Sequence, residues 1–223
     1  MAVPLVVLGA SGHARVVIDA ARRSAAFDLL GVVDPNTPAG TTLDGLRSLG
    51  GEECLPEIAA RVDGLAAIIA IGDNAVRARV EDKVLGLVPR IRFAAVMHPA
   101  AVIAEDVTIA DGSFIAAGVT INCGARVGRH AVINTNASVD HDTFIGDFAF
   151  VGPNAALAGG VSVGRMSLIG IGASVIQGIR IGDRAIIGAG AAVVDDIGGD
   201  CLAVGVPARV VKSRADLPIA PGR

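Results

Sequence analysis

From residue 103 to residue 193 an aliphatic side chain recurs at every sixth position without interruption: Ile103, Ile109, Ile115, Ile121, Val127, Ile133, Val139, Ile145, Val151, Leu157, Val163, Ile169, Val175, Ile181, Ile187 and Val193. Four residues after most of them stands a small or β-branched side chain, Ala125, Ala131, Ala137, Ala149, Ala155, Ala173, Ala185 and Ala191, with Ser113, Thr143 and Ser167 at equivalent places. A hexad with one aliphatic and one small inward residue describes one short strand and one corner. Three such units close a triangular coil of roughly 18 residues, and each coil buries its inner face against the next, which is the core of a parallel β-helix. Ordinary alternating strands would need period two and turn signals every ~8–12 residues. The pattern shows neither.

Ahead of the hexads the apolar residues fall into short runs separated by polar turns. Pro4 to Leu8 predicts a strand, Gly9 to His13 a turn, and His13 to Arg23 a helix with Val16, Val17, Ala20 and Ala21 turned inward. Val32 and Val33 end a second strand at Asp34-Pro35-Asn36, and Pro38 to Gly45 is a loop. Pro56 to Val62 predicts a short helix, Leu65 to Ile71 a buried strand that stops at Gly72-Asp73-Asn74, and Ala75 to Leu87 a charged amphipathic helix. Phe93 to Val96 is a last strand before a hinge at His98-Pro99. Strand-helix-strand alternation implies a parallel sheet with ligands at the carboxyl ends of its strands. The turns at Ser11, Asp34 and Asp73 all follow strands and share that edge. The expected organisation is a small Rossmann-like α/β domain over residues 1–97, a parallel β-helix over 98–197 and a short C-terminal cap over 198–223.

Composition agrees with a narrow solenoid core. Of 223 residues 52% are hydrophobic, yet Trp and Tyr are absent and only six are Phe, as expected where rings have little room. The net charge of −3 leaves no basic footprint for nucleic acid. No apolar run approaches the ~18 residues needed to span a bilayer, and Val3 to Leu8 lacks the basic flank of a secretory signal, so a cytosolic protein is expected. Cys54, Cys123 and Cys201 are odd in number and widely spaced, which suggests neither a disulfide framework nor a zinc site.

Two places carry candidate chemistry. The glycines of the Gly9 to His13 turn let backbone N–H groups approach a ligand, and the helix that follows presents its positive end, an arrangement suited to phosphate. The third glycine of the dinucleotide fingerprint is missing, so a nicotinamide enzyme is not expected. In the solenoid, Val139-Asp140-His141-Asp142 places an imidazole at a corner beside carboxylates. Such a histidine titrates near neutrality and can accept a proton, with a carboxylate favouring its imidazolium. One coil on, 18 residues later, Gly159 would offer a backbone N–H as an oxyanion donor. One coil back lies Cys123, read as a buried structural thiol. His130 reads as a solvated corner histidine without a role.

These motifs resemble a known family. Gly9-Ala10-Ser11-Gly12-His13, Ile71-Gly72-Asp73-Asn74, Asn134-Thr135, His141-Asp142 followed by Ile145-Gly146-Asp147-Phe148, and Gly205-Val206-Pro207-Ala208 resemble the left-handed β-helix, hexapeptide-repeat sugar acyltransferases. The branch is that of the bacterial bacillosamine and perosamine N-acetyltransferases and the sialic acid O-acetyltransferases, and the likeness covers essentially the whole chain. The resemblance implies a left-handed solenoid and an acetyl-CoA co-substrate without a metal. It implies a nucleotide-sugar acceptor whose 4-amino group is acetylated, with GDP-perosamine as the best expectation and UDP-linked sugars or a sialic acid hydroxyl as alternatives. It makes His141 the catalytic base, Asp142 its acidic partner, and Asn134 a neighbour of the sugar amine. Ser11, Gly12 and His13 then cover the sugar-nucleotide phosphates, and Asp34, Gly72 and Asp73 surround the base. Gly159 meets the thioester oxygen, and Gln177 and Pro207 lie on the coenzyme side. It further implies a homotrimer with active sites between subunits. One departure stands out: where close relatives often carry a second histidine, nine residues after the base, this chain has Phe150.

Three rivals follow from the same residues. A ping-pong route would use Cys123 as nucleophile. A metal hydratase of the γ-carbonic anhydrase type would need about three histidines, and past the hinge at His98 the solenoid holds only His130 and His141. A non-catalytic nucleotide-sugar binder would leave the His-Asp pair without a purpose.

Overall fold

The fold is that of a computed structural model, which describes residues 2–213; the end of the expected C-terminal cap, from residue 214, lies outside the described residues. Strands β1 (Val3–Leu8), β2 (Phe27–Val33), β5 (Ala66–Ile69) and β6 (Arg92–Phe93) form a parallel sheet in the order β2-β1-β5-β6. Helices α1 (Gly12–Ser24), α2 (Leu55–Arg61) and α3 (Asn74–Leu87) connect them. The central strands read as continuous apolar runs because both faces are covered. Leu5 to Leu8 and Ala66 to Ile69 are buried throughout. The predicted loop holds the first strand and the turn of a small hairpin, β3 (Thr42–Leu43), which pairs with β4 (Leu46–Arg47) just beyond it. Helix α1 buries Ala14, Val17, Ile18, Ala20 and Ala21, whereas Val16 is 44% exposed, contrary to the inward placement expected of it. The 100° step of a helix that sends Val17 and Ala21 to the sheet sends Val16 away from it.

The hexads fold as a parallel β-helix of two-residue strands stacked in three sheets, with partners 18 residues apart, such as Phe114 with Val132 and Ile115 with Ile133. Every sixth-position aliphatic residue from Ile115 to Val193 points inward and is buried, and Ser113, Thr143, Ser167 and the alanines fill the second inward position. The three outer faces differ because the residue before each aliphatic differs. One face carries Val96, Phe114, Val132, Phe150, Leu168 and Ile186; a second carries Val102, Thr120, Ser138, Ala156, Ser174 and Ala192; the third carries Thr108, Arg126, Phe144, Ser162 and Arg180. The apolar face receives the N-terminal domain, and Val96, Phe114 and Val132 are buried there.

The predicted last strand of that domain divides in two. Arg92–Phe93 closes the N-terminal sheet, and β7 (Val96–Met97) is already the first rung of the apolar solenoid face, paired with Phe114 and Ile115. The outward apolar Val96 belongs to that face, so the chain changes partner between them, with Ala94 N–H donating to Ala67 O and Val96 N–H to Ser113 O.

A buried polar seam joins the domains. One solenoid corner has His130, Phe148, Met166 and Arg184 stacked at 18-residue intervals, all at left-handed φ (53°, 57°, 57° and 56°). Side chains other than glycine are disfavoured there by about 1–2 kcal/mol. At His130 and Phe148 packing offsets the cost: the two rings stack with centroids 5.0 Å apart, and Phe93 meets His130 edge-on at 4.6 Å. Helix α3 lies along this corner. Fully buried Arg77 donates through Nε to His130 O (2.8 Å), through Nη1 to Ile71 O (2.8 Å) and Gly72 O (3.2 Å), and through Nη2 to Asn74 Oδ1 (2.9 Å) and Phe148 O (2.7 Å). Asn74 Nδ2 reaches Met166 O and Ser167 O, and Glu81 meets His130 Nε2 at 3.1 Å and the Arg129 guanidinium.

His130 is therefore not a solvated corner residue but a buried one. Burial, with the charges of Arg129 and Arg77, pushes its imidazole down from 6.5 to about 3. His13 is likewise lowered to about 4, by burial and by Arg77. Both stay neutral in the fold while the unfolded chain binds protons below pH 6.5, so the stability they hold is present above that value and lost as pH falls toward 4. Between pH ~6.5 and ~5, above most carboxylate titrations, the expected loss is about 1–2 kcal/mol per histidine, read as a falling urea midpoint. A His130→Phe variant should show the shallower fall, and a midpoint indifferent to pH over that window would refute the assignment.

Candidate active site

The 140–142 corner departs from its neighbours in the stack. Gly124, Asp142, Gly160 and Gly178 all turn it with positive φ (72°, 55°, 68° and 73°), and aspartate tolerates that conformation better than most side chains. The corner is held coil to coil, Asp142 N–H donating to Cys123 O (3.0 Å) and Gly160 N–H to His141 O (2.8 Å). His141, with 57% of its side chain exposed, stands 2.9 Å through Nδ1 from Asp142 Oδ2. That bond, then the charge of Asp140, raises the imidazole above its ordinary 6.5. With Nδ1–H committed to Asp142, Nε2 is the nitrogen left to accept a proton.

Gly159 sits directly on that nitrogen. A Cβ built on it would lie 2.4 Å from His141 Nε2 and 2.5 Å from Cε1. The stacking bonds here run from Ala158 N–H to Val175 O and from Gly160 N–H to His141 O, and among the described residues the Gly159 N–H has no acceptor. Gly159→Ala should keep the fold, since this glycine does not use the left-handed region, but must rotate the imidazole off Asp142. The expected kcat loss is about ten- to a hundredfold with an unchanged melting temperature, and full activity would rule out the contact.

A groove of about 380 Å³ begins at this corner and crosses the face of small side chains, lined among others by Asn122, Asp140, Ser138, Ala156, Ser174 and Gln177. At its far end the Gly205 to Ala208 segment, with Pro207, is tied to the same face through Ala192 N–H to Gly205 O and Ala208 N–H to Ala192 O. Gln177 and Pro207 thus share a face with His141. Cys123, one coil back, is exposed rather than buried, because its corner position points outward.

The other predicted residues gather elsewhere. Ser11, Gly12, His13, Asp34, Gly72 and Asp73 lie at the carboxyl edge of the N-terminal sheet, following β1, β2 and β5. Asp34 organises the edge, accepting from Ala10 N–H through Oδ2 (2.9 Å) and Asn36 N–H through Oδ1 (2.7 Å), and Asp73 caps α3 through Val76 N–H (2.8 Å). His13 packs on the apolar solenoid face against Phe114 (5.6 Å) and Phe150 (6.4 Å), and its Nε2 is buried with no partner among the described residues. Asn134 turns the corner between the apolar and small-residue faces, its Oδ1 accepting from Thr135 N–H (2.8 Å). One chain therefore keeps the predicted residues in two separate groups: Asn134 and the sheet edge border the apolar face, and His141 occupies the prism corner opposite that face. Sequence reading missed Arg77 and Glu81, whose helical spacing looked like a solvated charged face, and the stacked pair Asn122 and Asp140, which the 18-residue interval could have shown.

Residues 4–84 match the family described as the PglD N-terminal domain. No curated protein matches. Among solved structures, a perosamine N-acetyltransferase from Caulobacter crescentus, a histidine-to-asparagine variant with CoA and GDP-perosamine, is 37% identical over 94% of this chain and 97% of its own, with a TM-score of 0.87. The acetyltransferase domain of PglB from Neisseria gonorrhoeae FA1090 with acetyl coenzyme A is 26% identical over 95% of this chain and 100% of its own (TM-score 0.86). WeeI from Acinetobacter baumannii AYE is 28% identical over 94% and 100% (TM-score 0.84). Fold and likeness over nearly the full length agree: the chain belongs to the left-handed β-helix sugar acetyltransferase family that includes perosamine N-acetyltransferase.

Proposed function

We propose that this enzyme transfers the acetyl group of acetyl-CoA to the 4-amino group of a nucleotide-linked 4-amino-dideoxyhexose, with GDP-perosamine as the preferred acceptor. The observation that carries the mechanism is the His141–Asp142 pair beneath Gly159 at the head of the small-residue groove. Acetyl-CoA lies along that groove past Gln177 toward Pro207, where serine and alanine side chains leave room for pantetheine. The Gly159 N–H polarises the thioester carbonyl, and the sugar amine attacks it directly. His141 Nε2 takes the ammonium proton as the tetrahedral intermediate forms, Asp142 steadies the imidazolium, and the coenzyme thiolate leaves. An amine needs less activation than a hydroxyl, so one histidine with one carboxylate suits N-acylation. Phosphates of the acceptor meet the Ser11–His13 turn, and the Asp34 and Gly72–Asp73 loops surround its base.

The separation of the two groups of residues supports a homotrimer. The nucleotide edge and Asn134 of one subunit complete the His141 corner of another, because the solenoid itself stands between the two within a chain. No described helix is long and apolar enough to cross a membrane, and we place the reaction in the cytosol, beside the acetyl-CoA pool. The test is acetyl transfer to GDP-, UDP- and dTDP-linked 4-amino sugars, with sedimentation of the active species. The GDP-linked amine should show the highest kcat/KM on a trimer. Turnover of none of the amines would overturn the acceptor assignment, and an active monomer would overturn the shared site.

A further inference from the structure

Before His141 in the chain, as Asp142 is after it, stands a second carboxylate, Asp140, that the mechanism above does not use. Asp140 Oδ1 accepts two hydrogen bonds of 2.7 Å, one from the backbone N–H of His141 and one from Nδ2 of Asn122. Asn122 stands one coil back, 18 residues earlier, at the same place in the stack. The following coils put Ala158 and Ile176 at that place, so the amide-carboxylate pair is confined to the two coils around the imidazole. Elsewhere in the solenoid, corner carboxylates such as Asp147 and Asp183 bond the backbone N–H of Arg129 and Arg165 on the preceding coil. The backbone N–H that Asp140 takes is instead on its own coil, at the residue that bears the imidazole. The groups around His141 are Asp142 and Asp140 on its own corner, Gly159 and Gly160 after it, and Asn122 and the Cys123 thiol before it.

We propose that Asn122 and Asp140 are positioning residues for acetyl transfer: Asn122 clamps the Asp140 carboxylate onto the His141 amide, and this fixed anion holds the corner in register with Gly159 and strengthens His141 as a proton acceptor. Both side chains also line the groove, so they act at the junction of coenzyme and base. Charge supports the geometry. Asn122 and the His141 amide hold Asp140 below the usual carboxylate range, and its charge is the second contribution raising His141. The proposal rests on His141 being the base.

The test is the pH dependence of kcat and kcat/KM for Asp140→Asn, Asn122→Ala and the double variant. Asparagine at 140 can still accept the His141 N–H, so the corner is expected to fold, and Asn122→Ala probes the same clamp without touching it. Asp140→Asn should move the acid limb to lower pH and lower the high-pH plateau about three- to tenfold. A general structural defect would lower the rate at every pH and leave the limb in place. If Asn122 acts through Asp140, the double variant should be no slower than Asp140→Asn alone. An unmoved limb in Asp140→Asn, or multiplicative losses in the double variant, would overturn the proposal. His141→Asn separates the two readings: retained rate and limb there would sink the base assignment itself, whereas loss of activity there with an unmoved limb in Asp140→Asn would sink only the positioning role.

Discussion

Replacing His141 with alanine is expected to lower kcat for acetyl transfer by about 10²–10⁴-fold while leaving both KM values within a few-fold of the parent. The imidazole projects from a corner whose backbone is held by bonds to Cys123 O and from Gly160 N–H, neither of which involves the side chain. Removing the ring therefore leaves the solenoid and its groove intact. On the proposed mechanism what is lost is the acceptor for the ammonium proton, needed only as the intermediate forms, so the penalty falls on kcat. The parent rate should rise with pH through a limb above 6.5, since Asp142 and Asp140 raise the imidazole and only its neutral form can act. That limb should vanish in the alanine variant. A loss below tenfold, or a persisting limb, would remove His141 from the role. Asp142→Asn should lose less, because it keeps a neighbour for Nδ1 and removes only the charge.

Arg77→Met should cost about 3–5 kcal/mol of stability, the largest effect expected outside the active site. The guanidinium has five N–H donors, and all are matched: three carbonyls and an amide oxygen take four within 3 Å, and Gly72 O takes the fifth at 3.2 Å. Burial lowers its pKa to about 10, so it remains charged at neutral pH with backbone dipoles in place of water. Methionine fills similar volume but leaves the carbonyls of His130 and Phe148 on one domain and Ile71 and Gly72 on the other without donors, each worth about 1–3 kcal/mol before relaxation. Arg77→Lys should recover only part of the loss, because three donors on a flexible stem cannot reproduce the planar fork. Urea denaturation at fixed protein concentration checks this, a lower midpoint at unchanged slope being the signature. A loss under about 1 kcal/mol would show the seam to be dispensable. Arg77 also ties down the backbone before Asp73, so Arg77→Lys should weaken the acceptor more than acetyl-CoA.

Much of this was legible in the hexads. A six-residue period admits one short strand and one corner, so the inward residues, the 18-residue stacking and the contact of Gly159 with His141 follow from counting. The strands and helices of the first domain were legible for a similar reason, since their apolar runs end at turn-forming residues. The readings that failed concern surfaces facing something outside their own element. His130, Arg77 and Glu81 are polar and sit at positions that would face water in an isolated helix or corner. Val16 and Cys123 are apolar or sulfur-bearing side chains that burial statistics would send inward.

The sequence by itself determined the solenoid, its register and the meeting of His141, Asp142 and Gly159 at one corner, because these depend on residues at fixed intervals along the chain. Only the tertiary structure decided which of three outer faces receives the N-terminal domain, that a fully buried arginine joins the two, and that the carboxyl edge of the N-terminal sheet and His141 lie on opposite sides of one prism. Those outcomes depend on how separately formed surfaces meet. Local periodicity records which way a side chain points and carries no record of what it will touch.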